Sequence, residues 1–294
     1  MAVSFAGAGV ALVTPFTKDG AVDEGAFRKL VRRQVEGKID VLVPCGTTGE
    51  ASTLTDDEQK RVVEITVAER GGRPVVAGAS SNDTRVAVAK TKALSALGVQ
   101  GILSVAPWYN RPTPEGIFRH FSAVADASPV PVIVYNVPGR TASNIDAKTL
   151  LRLAEHPNVA GVKEASGNIA LQMEILRDVP ERVEVLSGDD AVTLPLMALG
   201  ARGVISVVAN QIPGPMHELV AAAAAGDLAK ARALHNRYLG LMNLNFIESS
   251  PIPVKASLAL MGLCEESYRL PMVPPTAETR AKLRETLQGL GLLG

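Results

Sequence analysis

The 294-residue sequence has little cysteine, no surplus of either charge and no long apolar run, and each shortage removes a class of protein. Two cysteines, Cys45 and Cys264, are too few for a disulfide framework and have no metal-ligand spacing, so a reducing, cytoplasmic setting is expected. Thirty Lys and Arg balance thirty Asp and Glu, which leaves no net field to hold nucleic acid or an anionic membrane. No apolar stretch is long enough to span a bilayer. The first residues lack a basic leader, and Val10 to Val13 run into Thr14-Pro15, which reads as a strand rather than a signal peptide. Four histidines, His120, His156, His217 and His235, lack ligand spacing, so no metal is implied. The glycine patterns are no better placed for a cofactor. Gly7 and Gly9 precede a strand, while Gly289, Gly291 and Gly294 fall at the terminus with no helix to follow, so neither set can seat a pyrophosphate.

What is present is a chain 47% apolar and 20% charged, enough to bury a large core as one α/β barrel or two smaller domains. Short apolar runs recur at Val10–Val13, Val41–Val43, Val75–Ala77, Ile102–Val105, Val132–Val134, Val159–Val162, Val183–Leu186 and Val204–Val207. Helical patterns separate them. Their starts carry chemical signals: Thr55 with Glu58 forms a capping box, Thr113 precedes Pro114 at the first helical position, and Asn82, Asp146 and Asp189 are N-cap candidates. Continuously apolar strands alternating with helices imply a parallel sheet covered on both faces, and about eight units favour a closed (β/α)8 barrel over two Rossmann-like domains. After Gln211 only helical segments follow, at Pro213–Ala225, Asp227–Asn245, Pro253–Met261 and Ala277–Leu287. The expected organisation is a catalytic barrel over residues 1–225 and a C-terminal helical domain over 226–294.

In such a barrel, function gathers at the C-terminal ends of the strands. Those ends carry Gly46-Thr47-Thr48-Gly49-Glu50, Trp108-Tyr109-Asn110, Tyr135-Asn136-Val137-Pro138-Gly139-Arg140, Lys163-Glu164 and Ser187-Gly188-Asp189-Asp190. Lys163 ends an apolar run and would point into the barrel mouth. Burial there would lower its pKa from about 10.4, and a value near 8 would raise the neutral fraction roughly a hundredfold, giving an amine able to attack a carbonyl. The alternative is a lysine paired with Glu164 or snorkelling to solvent. Lys255 is a rival nucleophile, but a helical appendage should keep it away from the strand ends. The threonine loop offers hydroxyls and backbone N–H groups for a small carboxylate, or an ordinary turn. Tyr109 and Tyr135 could pass protons or merely pack, and Arg140 could bind a second carboxylate or lie on the surface. Asp189-Asp190 reads as helix capping more readily than as a metal site.

Taken in order, Gly46–Glu50, Tyr135–Thr141, Val162–Gly167, Leu186–Asp190 and Gly203–Ser206 resemble the dihydrodipicolinate synthases, pyruvate-dependent class I aldolases, over essentially the whole chain. The resemblance implies a homotetrameric barrel lyase in which Lys163 forms an imine with pyruvate, and the derived enamine attacks L-aspartate 4-semialdehyde. It further implies a proton relay of Tyr135, Thr47 and Tyr109, the last reaching into a neighbouring subunit's site. Thr48 would hold the pyruvate carboxylate and Arg140 that of the semialdehyde. Gly188 and Ile205 would line the pocket with backbone carbonyls, and no external cofactor would be needed. Sibling keto-acid aldolases share the lysine and tyrosine, so Arg140 is the main discriminator. A keto-acid sensor without activity is a third reading, disfavoured by Lys163, Tyr135 and Thr47 occurring together. The resemblance also brings one departure: histidine, glutamate and tyrosine positions of a lysine-inhibitory site match Asp56, Gln59, Val86 and Trp108, with only Asn82 kept. Weak or absent inhibition by lysine is therefore expected.

Overall fold

The computed structural model describes residues 3–293. Eight parallel strands, β1 (Gly7–Ala11), β2 (Val41–Val43), β3 (Val76–Gly78), β4 (Gly101–Val105), β5 (Val132–Asn136), β6 (Val159–Glu164), β7 (Glu184–Ser187) and β8 (Gly203–Ser206), run in the order β2-β1-β8-β7-β6-β5-β4-β3. A parallel bridge between Leu42 and Val75 brings the two ends of that sheet together, and Gly78 N donates to Pro44 O at 2.9 Å beside it. The (β/α)8 barrel expected from the apolar periodicity is therefore present.

Side-chain alternation along the strands divides the core in two. Ala11, Val43, Val76, Leu103, Ile133, Leu186 and Ile205 fill the barrel interior, while Val10, Leu42, Ala77, Ile102, Val134, Val162, Val185 and Val204 face the surrounding helices. The strands sit slightly off the apolar runs. β1 begins at Gly7 rather than Val10, because Gly7 pairs with Gly203 so closely that a Cβ on Gly203 would lie 2.0 Å from the Gly7 carbonyl oxygen. Hydropathy cannot signal a strand made possible by the lack of side chains.

Helix starts follow the caps in part. Thr55 and Glu58 form the reciprocal capping box of α2 (Asp56–Glu69), and Thr113 and Asp146 cap α4 (Pro114–Ala127) and α6 (Ala147–Ala154). Two expectations fail. Asp83, not Asn82, caps α3 (Thr84–Ser95), and α8 (Thr193–Ala198) starts after Val192, so Asp189 caps no helix. The C-terminal helices α9 (Pro213–Ala224), α10 (Leu228–Leu244), α11 (Ile252–Leu260) and α12 (Ala277–Gly289) match the expected segments to within a few residues. Gly294, part of the dismissed terminal glycine pattern, lies outside the described residues. Tyr238, Leu241 and Met242 of α10 and Leu287 of α12 join the barrel's outer core, and Val254 and Leu258 of α11 pack with Val13, Leu30 and Val207.

Candidate active site

A cavity of about 600 Å3 opens at the C-terminal ends of the strands, with Thr47, Glu50, Tyr135, Arg140 and Lys163 in its wall and Ser250 and Pro251 contributed from the region before α11. Lys163 and Tyr135 are cross-strand partners on β6 and β5. Both take the inward phase of the alternation, and the Lys163 Nζ lies 4.3 Å from the Tyr135 ring centroid.

Lys163 is only 6% exposed, so it does not snorkel. It does not pair with Glu164 either, because consecutive strand residues face opposite sides of the sheet. Glu164 points away from the interior, where its Oε2 accepts from Asn136 Nδ2 at 2.9 Å and its Oε1 from Ser166 N at 2.6 Å. Burial pulls the Lys163 amine down to about 8, with Asp190 opposing and Arg140 reinforcing the shift. Burial likewise pushes the Tyr135 phenol up to about 12, against the pull of Arg140 and of a hydrogen bond with Thr47. The wall thus holds an amine that is easily neutral and a phenol that keeps its proton.

The threonine loop is a short 3-10 turn, Thr47–Gly49, closed by Glu50 in the left-handed conformation, with Glu50 N donating to Thr47 O at 3.0 Å. Gly49 makes this possible, since a Cβ there would lie 3.0 Å from Leu12 O. Thr47 faces the cavity, whereas Thr48 is buried and does not line it. Arg140 sits in the short helix α5 (Pro138–Thr141), at the mouth, and its Nη2 donates to Ser250 O at 3.1 Å. Gly188 follows β7 and lies against the Lys163 stem: a Cβ there would lie 3.1 Å from Lys163 Cε and 2.6 Å from Ala165 Cβ. Ile205 packs in the interior cluster with Tyr135 and Leu186.

Tyr109 is not brought to this cavity. It is 87% exposed, on a left-handed backbone with φ 71°, and points off the molecule. Asp190, expected at a helix cap, is instead 1% exposed and ties β7 to the end of β8, its Oδ2 accepting from Val207 N at 3.1 Å and Val208 N at 2.8 Å. Burial raises its carboxyl to about 6. Lys255 is also displaced from expectation. Rather than lying apart from the strand ends, it is fully buried and ion-paired with Glu50 of the threonine loop, and that engagement removes it as a nucleophile. No sequence pattern links positions 205 residues apart, so the pair has no signature in the sequence.

The model of the dihydrodipicolinate synthetase family matches residues 4–290. The chain belongs to that family. A 4-hydroxy-tetrahydrodipicolinate synthase of Koribacter versatilis is 55% identical over 289 residues, which cover 98% of this chain and 96% of the relative. Among solved structures, the chloride-inhibited dihydrodipicolinate synthase of Acinetobacter baumannii complexed with pyruvate is similar at a TM-score of 0.97 and 42% identity, covering 99% of this chain and 100% of that one. A monomeric dihydrodipicolinate synthase variant is similar at a TM-score of 0.96 and 39% identity, covering 98% of each chain. Membership in the dihydrodipicolinate synthetase family accords with the buried lysine and tyrosine facing each other across β5 and β6.

Proposed function

We propose that this chain is a lyase that condenses pyruvate with L-aspartate 4-semialdehyde to give 4-hydroxy-tetrahydrodipicolinate, a step of lysine biosynthesis. The observation that carries this reading is Lys163, buried at a strand end with its amine pulled down to about 8. Its neutral amine attacks the pyruvate ketone carbon, and water leaves as the imine forms. Loss of a methyl proton gives the enamine, whose carbon attacks the aldehyde. The semialdehyde's own amine then adds to the imine carbon and expels the Lys163 amine, which closes the ring and frees the lysine; the adduct is held to the protein through the pyruvate-derived carbon alone, and no external cofactor is called for.

Tyr135 and Thr47 carry protons between these steps, with Tyr109 supplied by a neighbouring subunit. Thr48, buried next to Thr47 and outside the cavity wall, is proposed as the anchor of the pyruvate carboxylate once the keto-acid seats on the loop, Arg140 as that of the semialdehyde, and Gly188 and Ile205 as the frame around the lysine. Arg140 at the cavity mouth favours this substrate over a longer keto-acid aldol. Residues 1–225 form the catalytic unit and 226–294 an ancillary helical one. A homotetramer is supported by exposed apolar side chains that include Val86, Trp108 and Tyr109, and Ile169 and Met173 of α7 (Ile169–Asp178). Sedimentation velocity would give a species near four times the 30.8 kDa chain; a monomer would end that reading and with it the role of Tyr109. A cytoplasmic setting is supported by the two free cysteines, and no helix among the described residues is long and apolar enough to cross a membrane.

The deciding experiment is incubation with pyruvate and borohydride, peptide mapping, and parallel turnover of aspartate semialdehyde. A reduced adduct on Lys163 with rapid turnover is expected. An adduct without turnover would reassign the chain to a sibling aldolase, and no adduct would leave a binding protein.

A further inference from the structure

Among the described residues, a fully buried cation takes no part in the chemistry above. Lys255 on α11 is 0% exposed. Its Nζ is ion-paired with Glu50 Oε1, donates to Ser267 O at 2.9 Å, and lies 4.1 Å from the Phe16 ring centroid. Glu50 is equally enclosed, and its Oε2 has no hydrogen-bond partner among the described residues. A carboxylate whose side chain is almost fully buried is costly unless a partner neutralises it, and Lys255 is the cation that does so.

Glu50 is also the residue on which the threonine loop closes. Its backbone N–H bonds Thr47 O, its φ of 51° ends the 3-10 turn of Thr47–Gly49, and its own carbonyl accepts from Thr53 N at 3.0 Å. The neighbouring Arg269 clamps the next stretch, donating to Thr53 O at 2.8 Å and to the Glu58 carboxylate. The threonine loop is therefore held from behind by the C-terminal segment.

We infer that the Lys255–Glu50 pair is a positioning element of the active site, through which the helical appendage fixes Thr47 and Thr48 for the keto-acid. This rests on the reading of the loop as the pyruvate anchor. Without Lys255 the Glu50 carboxylate must move to water, and the turn closed by its backbone N–H moves with it. Without Glu50's charge, Lys255 keeps a carbonyl and a ring face, so the loop is disturbed less.

The test is the pyruvate dependence of borohydride trapping on Lys163, measured for wild type, Glu50→Gln, Lys255→Met and the double variant, with melting curves on the same samples. Half-saturating pyruvate should rise at least tenfold in Lys255→Met and less in Glu50→Gln. The double variant, having no buried charge to expose, should recover part of the Lys255→Met loss. Lys255→Arg, which keeps the charge, should lie nearest wild type and serves where Lys255→Met does not fold. Variants that melt earlier yet trap pyruvate with wild-type half-saturation would show the pair to be structural only and overturn the proposal. Absence of any adduct in wild type would instead overturn the function on which it rests.

Discussion

Lys163 illustrates what a single residue gives up for reactivity. An ordinary lysine is about a three-thousandth neutral at pH 7, whereas one titrating near 8 is about a tenth neutral. The same shift weakens the fold. Unfolded, the amine titrates at its ordinary 10.5 and folded at about 8, so between those values the unfolded chain binds more protons and stability rises with pH. The penalty is complete below about pH 8 and gone above about 10.5, and the gap corresponds to ~3 kcal/mol. Lys163→Met should therefore unfold at higher denaturant at pH 7, by up to that amount, with the gain vanishing near pH 10.5. A variant no more stable than wild type at pH 7 would show that the amine is not held against its preference. Lys163 and Tyr135 are legible in the sequence because each ends an apolar run; Asp190 reads as a cap there because its true partners, Val207 N and Val208 N, lie just past the end of β8, further along the chain.

Between elements, the decisive contact is where β7 meets β6. Gly188 N donates to Glu164 O at 2.8 Å, continuing the ladder one residue past β7, and the missing side chain leaves room for the Lys163 stem. Gly188→Ala would place a methyl 3.1 Å from Lys163 Cε and 2.6 Å from Ala165 Cβ, forcing one of them aside. Misplacement of about an ångström costs roughly a hundredfold in rate. The rate of adduct formation with pyruvate should fall by about that factor while the far-ultraviolet circular dichroism stays unchanged. An unaltered trapping rate would mean that the lysine is free to shift without consequence. The apolar periodicity placed all eight strands, yet β1 begins at a glycine no hydropathy pattern would select, since its pairing depends on backbone approaching backbone.

For the whole molecule, the residues at positions matching a lysine-inhibitory site, Asn82, Trp108, Val86, Asp56 and the buried Gln59, are expected to hold free lysine poorly. Asn82 Nδ2 donates to Trp108 O at 3.2 Å, Gln59 Nε2 is spent on the carbonyls of Ala51 and Leu54, and Lys90 lies 3.3 Å from Asp56. A ligand cation would meet a resident one there. Free lysine at physiological concentration should leave turnover unchanged to within a factor of about five, since a surface charge contact contributes at most about 1 kcal/mol. Strong inhibition in a lysine titration would refute this. Residue types at the matching positions are legible in the sequence, whereas Lys90 reaches Asp56 only because α2 packs beside α3.

The sequence by itself determined the barrel, its approximate strand positions and the lysine at the end of β6, because strand burial and residue chemistry are local properties written as periodicity and composition. Only the tertiary structure decided which groups share the cavity wall. It placed Thr47 in that wall and left Thr48 outside it, turned Tyr109 away to solvent, and put Lys255 of α11 behind the threonine loop. Those outcomes depend on close packing between segments as far as 205 residues apart, and such contacts have no signature in the order of residues along one chain.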